Sequence, residues 1–333
     1  MAPSPPPPVR FGILGAAAIA PRALIRPARA VPDVEVVAVA ARDEKRARAF
    51  AAAHAVSAVH ATYQALIDAP DIDAVYIPLP NALHAEWSVR ALRAGKHVLC
   101  EKPLASNAAE AEQVAAVAAE SGRILMEAVH YRYHPLALLM KEIVASGELG
   151  ELRSIHASFC VPLFRRDDIR YRYHLAGGAT MDLGCYVIHL IRFLSGAEPV
   201  VTAARALLVG PDVDRRMEAE FTLPASGTAR MLCSLRSHTL LRIGAAVVGE
   251  RGVLHVRNPF LPHFFHQCRV QTREGVRVEH VSLEPTYNYQ LRAFVRAVRG
   301  EGPNLTDAAD AVATMRVVDA VYERAGLKRR AAA

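Results

Sequence analysis

Short apolar runs alternate with alanine-rich amphipathic stretches from Val9 to Met126, the rhythm of parallel strands joined by crossover helices. Val9–Leu14, Val34–Ala41, Ala74–Ile77, His97–Cys100 and Ile124–Met126 read as strands. Ala20–Ala30, Glu44–Ala53, Leu83–Ala94 and Ala108–Glu120 read as the helices between them, because alanine loses almost no side-chain freedom in a helix. Gly95 and Gly122 stand where a helix gives way to a strand, a position that favours glycine. Ligands of such sheets gather outside the carboxyl ends of the strands, so the loops at Gly15, Arg42, Pro78 and Glu101 should converge.

The pattern changes after Met126. A helical stretch, Pro135–Ser146, precedes segments with period-two alternation: Arg153–Val161, Val200–Val209, Met217–Leu223, Ala229–Arg236, Ala245–Glu250 and Arg269–Gln271. In Ala229–Arg236 the residues Ala229, Met231, Cys233 and Leu235 should face a core, with Arg230, Leu232, Ser234 and Arg236 opposite. One helix, Ala179–Leu194, interrupts the strands, and Tyr289–Arg299 and Asp307–Arg324 read as closing helices. The expected architecture is α/β: a doubly wound parallel sheet at residues 9–127, then an α+β domain with an open-faced, mainly antiparallel sheet at 128–333. Met1–Pro8, with its proline run, reads as an extended or disordered lead-in.

Composition narrows the function. The 333 residues suffice for two domains, and runs such as Val36–Ala41 and Val114–Ala119 are far too short to span a bilayer. Met1–Pro8 lacks the charged start and apolar stretch of a secretion signal, so a cytoplasmic protein is expected. The net charge is +7, but the basic residues are scattered, which argues against nucleic acid and suits a phosphate-bearing ligand. The one basic run, Lys328–Arg330, reads as a solvated, frayed end. Five cysteines without a CxxC pair argue against disulfides or a zinc ribbon and for free thiols in a reducing compartment.

Candidate chemistry sits where the strands end. Phe11-Gly-Ile-Leu-Gly15-Ala-Ala17-Ala-Ile-Ala20 follows a strand and opens a helix, where amides around Ala17, Ala18 and Ile19 could approach a pyrophosphate. Only the first glycine of the dinucleotide fingerprint remains; Ala17 and Ala20 replace the others. At the end of the second strand Arg42 could pair with a ribose 2′-phosphate, which favours NADP over NAD; Asp43 reads as a helix cap. Pro78, Leu79, Asn81 and His84 border the same cofactor edge, with Asn81 capping the helix and His84 readable also as a structural histidine. Glu101-Lys102-Pro103 places an ammonium at the next strand mouth, able to bind a substrate hydroxyl and lower a neighbouring group's pKa. On the helix after Gly177 and Gly178, a step of about 100° per residue puts Asp182, Tyr186 and His189 within about 60° of one another. Polar groups so placed form either a structural hydrogen-bond network or an active site, and the two glycines would let a substrate reach the backbone. A tyrosine beside a lysine is a workable proton donor.

These elements resemble the glucose–fructose oxidoreductase / inositol dehydrogenase / MocA-like (Gfo/Idh/MocA) oxidoreductases over nearly the whole chain. The resemblance rests on the Gly15 turn, Pro78-Leu-Pro-Asn-Ala-Leu-His84, Ala94-Gly-Lys-His-Val-Leu-Cys-Glu-Lys-Pro103, Met126-Glu127 with Arg132 and Pro135, and Gly177-Gly-Ala-Thr-Met-Asp-Leu-Gly-Cys-Tyr186. It implies that Lys102 touches substrate and nicotinamide ribose, that Tyr186 is the acid–base, and that Asp182 orients them. Tyr131, Arg132 and His134 lie where members of the family contact substrate; Arg132 and His189 are the candidates here. Tyr186, where inositol dehydrogenases carry histidine, speaks against inositol. The Val37-Ala-Val-Ala-Ala-Arg42-Asp43 stretch looks like the NADP-using branch of sugar ketoreductases and dihydrodiol dehydrogenase. The implied activity is hydride transfer between nicotinamide and a secondary alcohol or ketone of a sugar, cyclic polyol or trans-dihydrodiol. The implied assembly is a homodimer or homotetramer through the second sheet. Redox-neutral glycoside cleavage or elimination and a non-catalytic NADP sensor stand as alternatives.

Overall fold

The computed structural model describes residues 6–224 and 227–331. Strands β1 (Val9–Leu14), β2 (Val34–Ala40), β3 (Ala58–His60), β4 (Ala74–Ile77), β5 (His97–Cys100) and β6 (Leu125–Glu127) form one sheet. Its order is β3-β2-β1-β4-β5-β6, parallel throughout. Helices cover both faces, so the central strands are buried on both sides, as their near-continuous apolar sequences require. Helices α1 (Arg26–Ala30), α2 (Glu44–His54), α3 (Tyr63–Asp68), α4 (His84–Arg93) and α5 (Ala108–Ser121) supply the crossovers. Asp43 does cap α2, its carboxylate accepting from the Arg46 amide at 3.1 Å. Neither β3 nor α3 is visible in the periodicity, because three and six residues are too few to set a period. The helix expected from Ala20 begins instead as a wide π turn, Pro21–Ile25, continued by α1.

After α6 (Pro135–Ala145) the chain builds a second sheet from β7 (Leu152–Cys160), then α7 (Cys185–Ser195), then seven more strands. These are β8 (Val200–Val209), β9 (Val213–Thr222), β10 (Thr228–Ser234), β11 (Arg242–Gly249), β12 (Gly252–Arg257), β13 (Gln267–Thr272) and β14 (Gly275–Glu279). The order is β14-β13-β12-β11-β7-β10-β9-β8, antiparallel except for the β7–β10 pair. Ala229, Met231, Cys233 and Leu235 are buried against the helical layer, as the alternation predicts, and Arg230 is exposed on the other face. Ser234 is buried too, its hydroxyl bonded to that of Ser237. The strands β12 and β14 went unseen, β14 because both its faces are largely exposed.

Two expectations fail here. The closing helices α8 (Thr286–Val298) and α9 (Ala308–Arg324) do not both stay with the second sheet. Tyr287, Leu291, Phe294 and Val295 of α8 share a core with Phe11, Ile13, Val39 and Tyr76 of the first sheet, and the Phe11 and Phe294 rings lie 5.2 Å apart. A division at 127/128 therefore does not separate the two layers, since an apolar helix face does not say which surface it will cover. The Lys328–Arg330 run is only in part a solvated end: Lys328 and Arg329 are exposed, but Arg330 is not. Arg330 is 1% exposed, its guanidinium donating to Asp214 Oδ1 at 3.0 Å and Gly177 O at 2.9 Å while lying over the Tyr322 ring. Burial is tolerable because every charge is paired; removing one partner of such a pair costs about 3–5 kcal/mol. At the other end, the Pro7 carbonyl accepts from Arg299, and Met1–Pro5 of the expected lead-in lie outside the described residues.

Candidate active site

The loops at the carboxyl edge of the first sheet do converge. Gly15 has φ +107°, and a Cβ there would lie 3.0 Å from Leu79 Cδ2, so neither its backbone nor its space admits a side chain. The tight turn, continued by Ala17, Ala18 and Ile19 into the π turn, is the cradle a dinucleotide pyrophosphate needs. Arg42 is exposed beyond β2. Arg46, one turn into α2, sends its guanidinium back to 3.4 Å from the Ala16 carbonyl. Two cations thus stand just past the end of β2. Arg46 was not singled out in the sequence, because only the fold shows that α2 points its first turn at the glycine loop.

Pro78 and Leu79 are buried behind this cradle. His84 is 0% exposed, with Nδ1 2.7 Å from Pro103 O and Nε2 2.8 Å from Leu79 O. Both ring nitrogens face backbone carbonyls inside the fold, and a neutral ring donates to one of them; His84 ties the Leu79 loop to the Lys102-Pro103 loop. Asn81 does not cap α4 either. Its side-chain amide donates to Ala176 O at 3.0 Å, joining the first sheet's edge to the segment before Asp182.

Lys102 emerges just past β5, and its Nζ donates to the Asp182 carboxylate at 3.0 Å and the Asp182 carbonyl at 2.7 Å. Asp182 Oδ2 accepts from Arg170 Nε at 2.9 Å. Burial opposes the charge on Lys102, but Asp182, Cys185 and Glu101 outweigh it and hold the ammonium above its ordinary pKa. Burial also works against the Asp182 carboxylate, and Lys102 and Arg170 overcome it to keep it below the usual range. An ammonium has three donors, and Asp182 uses two. The Tyr186 ring lies under the ammonium, 5.0 Å from Nζ to centroid. Among the described residues nothing hydrogen-bonds its hydroxyl. Burial, with Tyr287 and Glu101 nearby, pushes the phenol well above its ordinary pKa, so it holds its proton. The expected lowering of a neighbour's pKa by Lys102 is not seen at Tyr186, where burial is the largest influence and raises it. Glu101 accepts from Tyr76 OH at 2.7 Å, and burial raises its pKa.

The other candidates lie elsewhere. His189 is buried one turn beyond Tyr186, Nδ1 2.6 Å from Tyr131 OH and Nε2 3.1 Å from Asp310 Oδ2. Arg132 rests its guanidinium on Phe193, 3.9 Å above the ring, and His134 caps α6. Helical phase alone joined His189 to Asp182; Tyr131 and α9 cover that stretch of the face. Nor do Gly177 and Gly178 open the backbone to a substrate. A Cβ at Gly178, φ +139°, would lie 2.2 Å from Asp214 Oδ1, and one at Gly177 would lie 2.6 Å from Arg170 O. Arg170, which no motif announced, and His130, whose ring lies 5.7 Å from Tyr186 and 4.3 Å from Tyr287, complete the surroundings.

A parallel dinucleotide-binding sheet whose loops carry a lysine against an Asp–Tyr helix from a second, open-faced sheet defines a two-domain nicotinamide oxidoreductase. The family model for "Oxidoreductase family, NAD-binding Rossmann fold" matches residues 9–129, and that for the "GFO/IDH/MocA C-terminal domain" matches 137–255. The chain belongs to the Gfo/Idh/MocA oxidoreductase family. It is 37% identical over 319 residues to D-xylose 1-dehydrogenase (NADP(+)) 2 of Haloferax volcanii, covering 95% of this chain and 97% of that one. It is 35% identical over 333 residues to dTDP-3,4-didehydro-2,6-dideoxy-alpha-D-glucose 3-reductase of Streptomyces violaceoruber, covering 96% of each. KijD10, a 3-ketoreductase from Actinomadura kijaniata solved with NADP and TDP-benzene, superposes with a TM-score of 0.88 at 33% identity, covering 96% of this chain and 98% of that one.

Proposed function

We propose that this protein is an NADP-dependent sugar dehydrogenase or ketoreductase in which Tyr186 is the acid–base, Lys102 orients the reacting oxygen and Asp182 holds Lys102. The carrying observation is the Lys102–Asp182 pair lying over a tyrosine whose hydroxyl has no partner among the described residues. NADPH, held by the Gly15 turn with Arg42 and Arg46 at its 2′-phosphate, would supply the hydride. A ketone oxygen then takes the third N–H of Lys102 and the phenolic proton of Tyr186, becoming an alcohol; solvent reprotonates the phenolate. In the oxidative direction the phenol first loses its proton to solvent, and the same oxygen then gives its proton to the phenolate. The raised phenol pKa fits the donor role, since the group is fully protonated near neutrality.

The sugar class follows the names of the relatives, and either direction is open to the same groups. The exposed face of the second sheet forms a depression of about 1050 Å³ lined by Arg205, Arg216, Glu220, Arg230, Leu241 and Ile243. Charges of both signs around apolar side chains suit a second copy of the same face, so a homodimer or homotetramer forms there. Five buried free cysteines suit the cytoplasm.

The test is a paired fluorescence titration with NADPH and NADH, followed by D-xylose with NADP⁺ and a TDP-3-keto sugar with NADPH. NADPH should bind at least tenfold more tightly than NADH, and Arg42→Ala should erase most of that difference. Tight NADPH binding without turnover of any sugar, polyol or ketone would identify a sensor instead. Product without net NADPH consumption would identify a redox-neutral reaction.

A further inference from the structure

We infer that Arg330, together with Asp214, is a positioning residue for the reaction: the segment after α9 is a strap that sets where Lys102 and Asp182 meet. The inference rests on the reading of Lys102, Asp182 and Tyr186 as the reacting groups. Asp214, at the start of β9, is 0% exposed and divides its carboxylate between two tasks. Oδ2 accepts from the Thr180 amide and the Thr180 hydroxyl, both at 2.7 Å, and so anchors the helical segment that carries Asp182 two residues later. Oδ1 accepts from Arg330 at 3.0 Å and Tyr322 OH at 2.9 Å.

The same guanidinium donates to the Gly177 carbonyl, and the next carbonyl, Gly178 O, accepts from the Asp182 amide at 3.0 Å. The strap is itself held from both layers. Asn107, which caps α5 of the first sheet, donates to Arg330 O at 2.8 Å, and Tyr173 OH donates to Arg329 O at 2.9 Å. From the opposite side Asn81 holds Ala176 O. The run 176–182 is thus pinned at Ala176, Gly177 and Thr180 before Asp182 reaches out to Lys102. The Lys102 ammonium comes from a different sheet, so the 3.0 Å pair needs the two layers to be in register at this one place. Arg330 serves Gly177 O through Nε and Asp214 Oδ1 through a terminal nitrogen, a rigid two-nitrogen fork that the single ammonium of a lysine does not offer.

The experiment uses the full chain in three forms, wild type, Arg330→Ala and Arg330→Lys, kept well below their melting temperatures. Deuterium exchange of the peptide covering 177–186 should speed up at least tenfold in both variants, while peptides from β1 and β4 stay unchanged. The NADPH dissociation constant should stay within twofold. With a substrate established as above, kcat should fall at least tenfold in Arg330→Ala and severalfold in Arg330→Lys. Millimolar guanidinium should restore part of the loss in Arg330→Ala and none in Tyr186→Phe. Folded variants with wild-type kcat, or with exchange raised equally in β1, β4 and 177–186, would overturn the strap. If Arg330→Ala does not fold, Arg330→Lys decides on the same two readouts. Wild-type protein that turns over no substrate would sink the functional reading alone, because the exchange comparison still reports on the strap.

Discussion

Two polar clusters lie along the same helical stretch, one around Asp182 and Tyr186 and the other around His189. The His189 cluster is largely closed: Nδ1 pairs with Tyr131 OH, Nε2 lies 3.1 Å from Asp310 Oδ2, and Asp310 Oδ1 accepts from Arg192 at 2.8 Å. The Asp182 cluster is open. Its carboxylate is saturated by Lys102 and Arg170, yet one donor of Lys102 and the whole hydroxyl of Tyr186 are left for something else. Residue type does not distinguish them. Spare hydrogen-bonding capacity beside the cofactor edge does, because a structural network uses up what it buries.

The largest expected break in this comparison is Tyr186→Phe. It removes only the spare hydroxyl, so kcat should drop about 10²–10⁴-fold, the usual worth of a general acid, with melting temperature and NADPH affinity nearly unchanged. An equal loss of stability would place Tyr186 with the closed cluster.

Glu127 stands between the two clusters and sharpens the contrast. It is buried with Oε1 accepting from the Leu104 amide and Oε2 without a partner among the described residues. Burial, then the charge of Asp310, raises its pKa to about 7, against the pull of Leu104 N–H, Arg192 and Lys102. The folded pKa lies above the unfolded one. Below the unfolded value near 4.5 the protonated carboxyl costs nothing; between there and about 7 the folded chain loses stability as pH rises. Glu127→Gln should therefore stabilise the protein at pH 8 by up to about 3 kcal/mol and leave it unchanged at pH 4, measured by denaturant unfolding at both. A constant difference across pH would refute the assignment.

The smallest effect belongs to the closed cluster. His189→Leu strands the Tyr131 hydroxyl and should cost about 1–3 kcal/mol of stability, while kcat of the folded variant stays within twofold. A large kcat loss at wild-type stability would move His189 into the reaction.

Much of this was legible beforehand. The strand–turn–helix at Gly15, the lysine after β5 and the Asp–Tyr spacing each bind a chemical role to a local pattern, and local patterns survive folding. What was misread has one cause. His84, His189, Gly178 and Arg330 each have partners more than a dozen residues away, apart from the His84–Leu79 contact, and no local period encodes those meetings. Helical phase put His189 beside Tyr186, but phase describes one helix and not what packs on it.

The amino-acid order by itself determined the doubly wound sheet, the alternating second sheet, the family and which ammonium, carboxylate and phenol are the candidates, because periodicity and motif spacing are properties of neighbouring residues. Tertiary structure alone decided which of the polar groups are spent and which are free, where α8 lies, and that Arg330, after α9, is buried against Tyr322. Hydrogen-bond satisfaction is a property of groups brought together from distant parts of the chain, and it exists only once they have met.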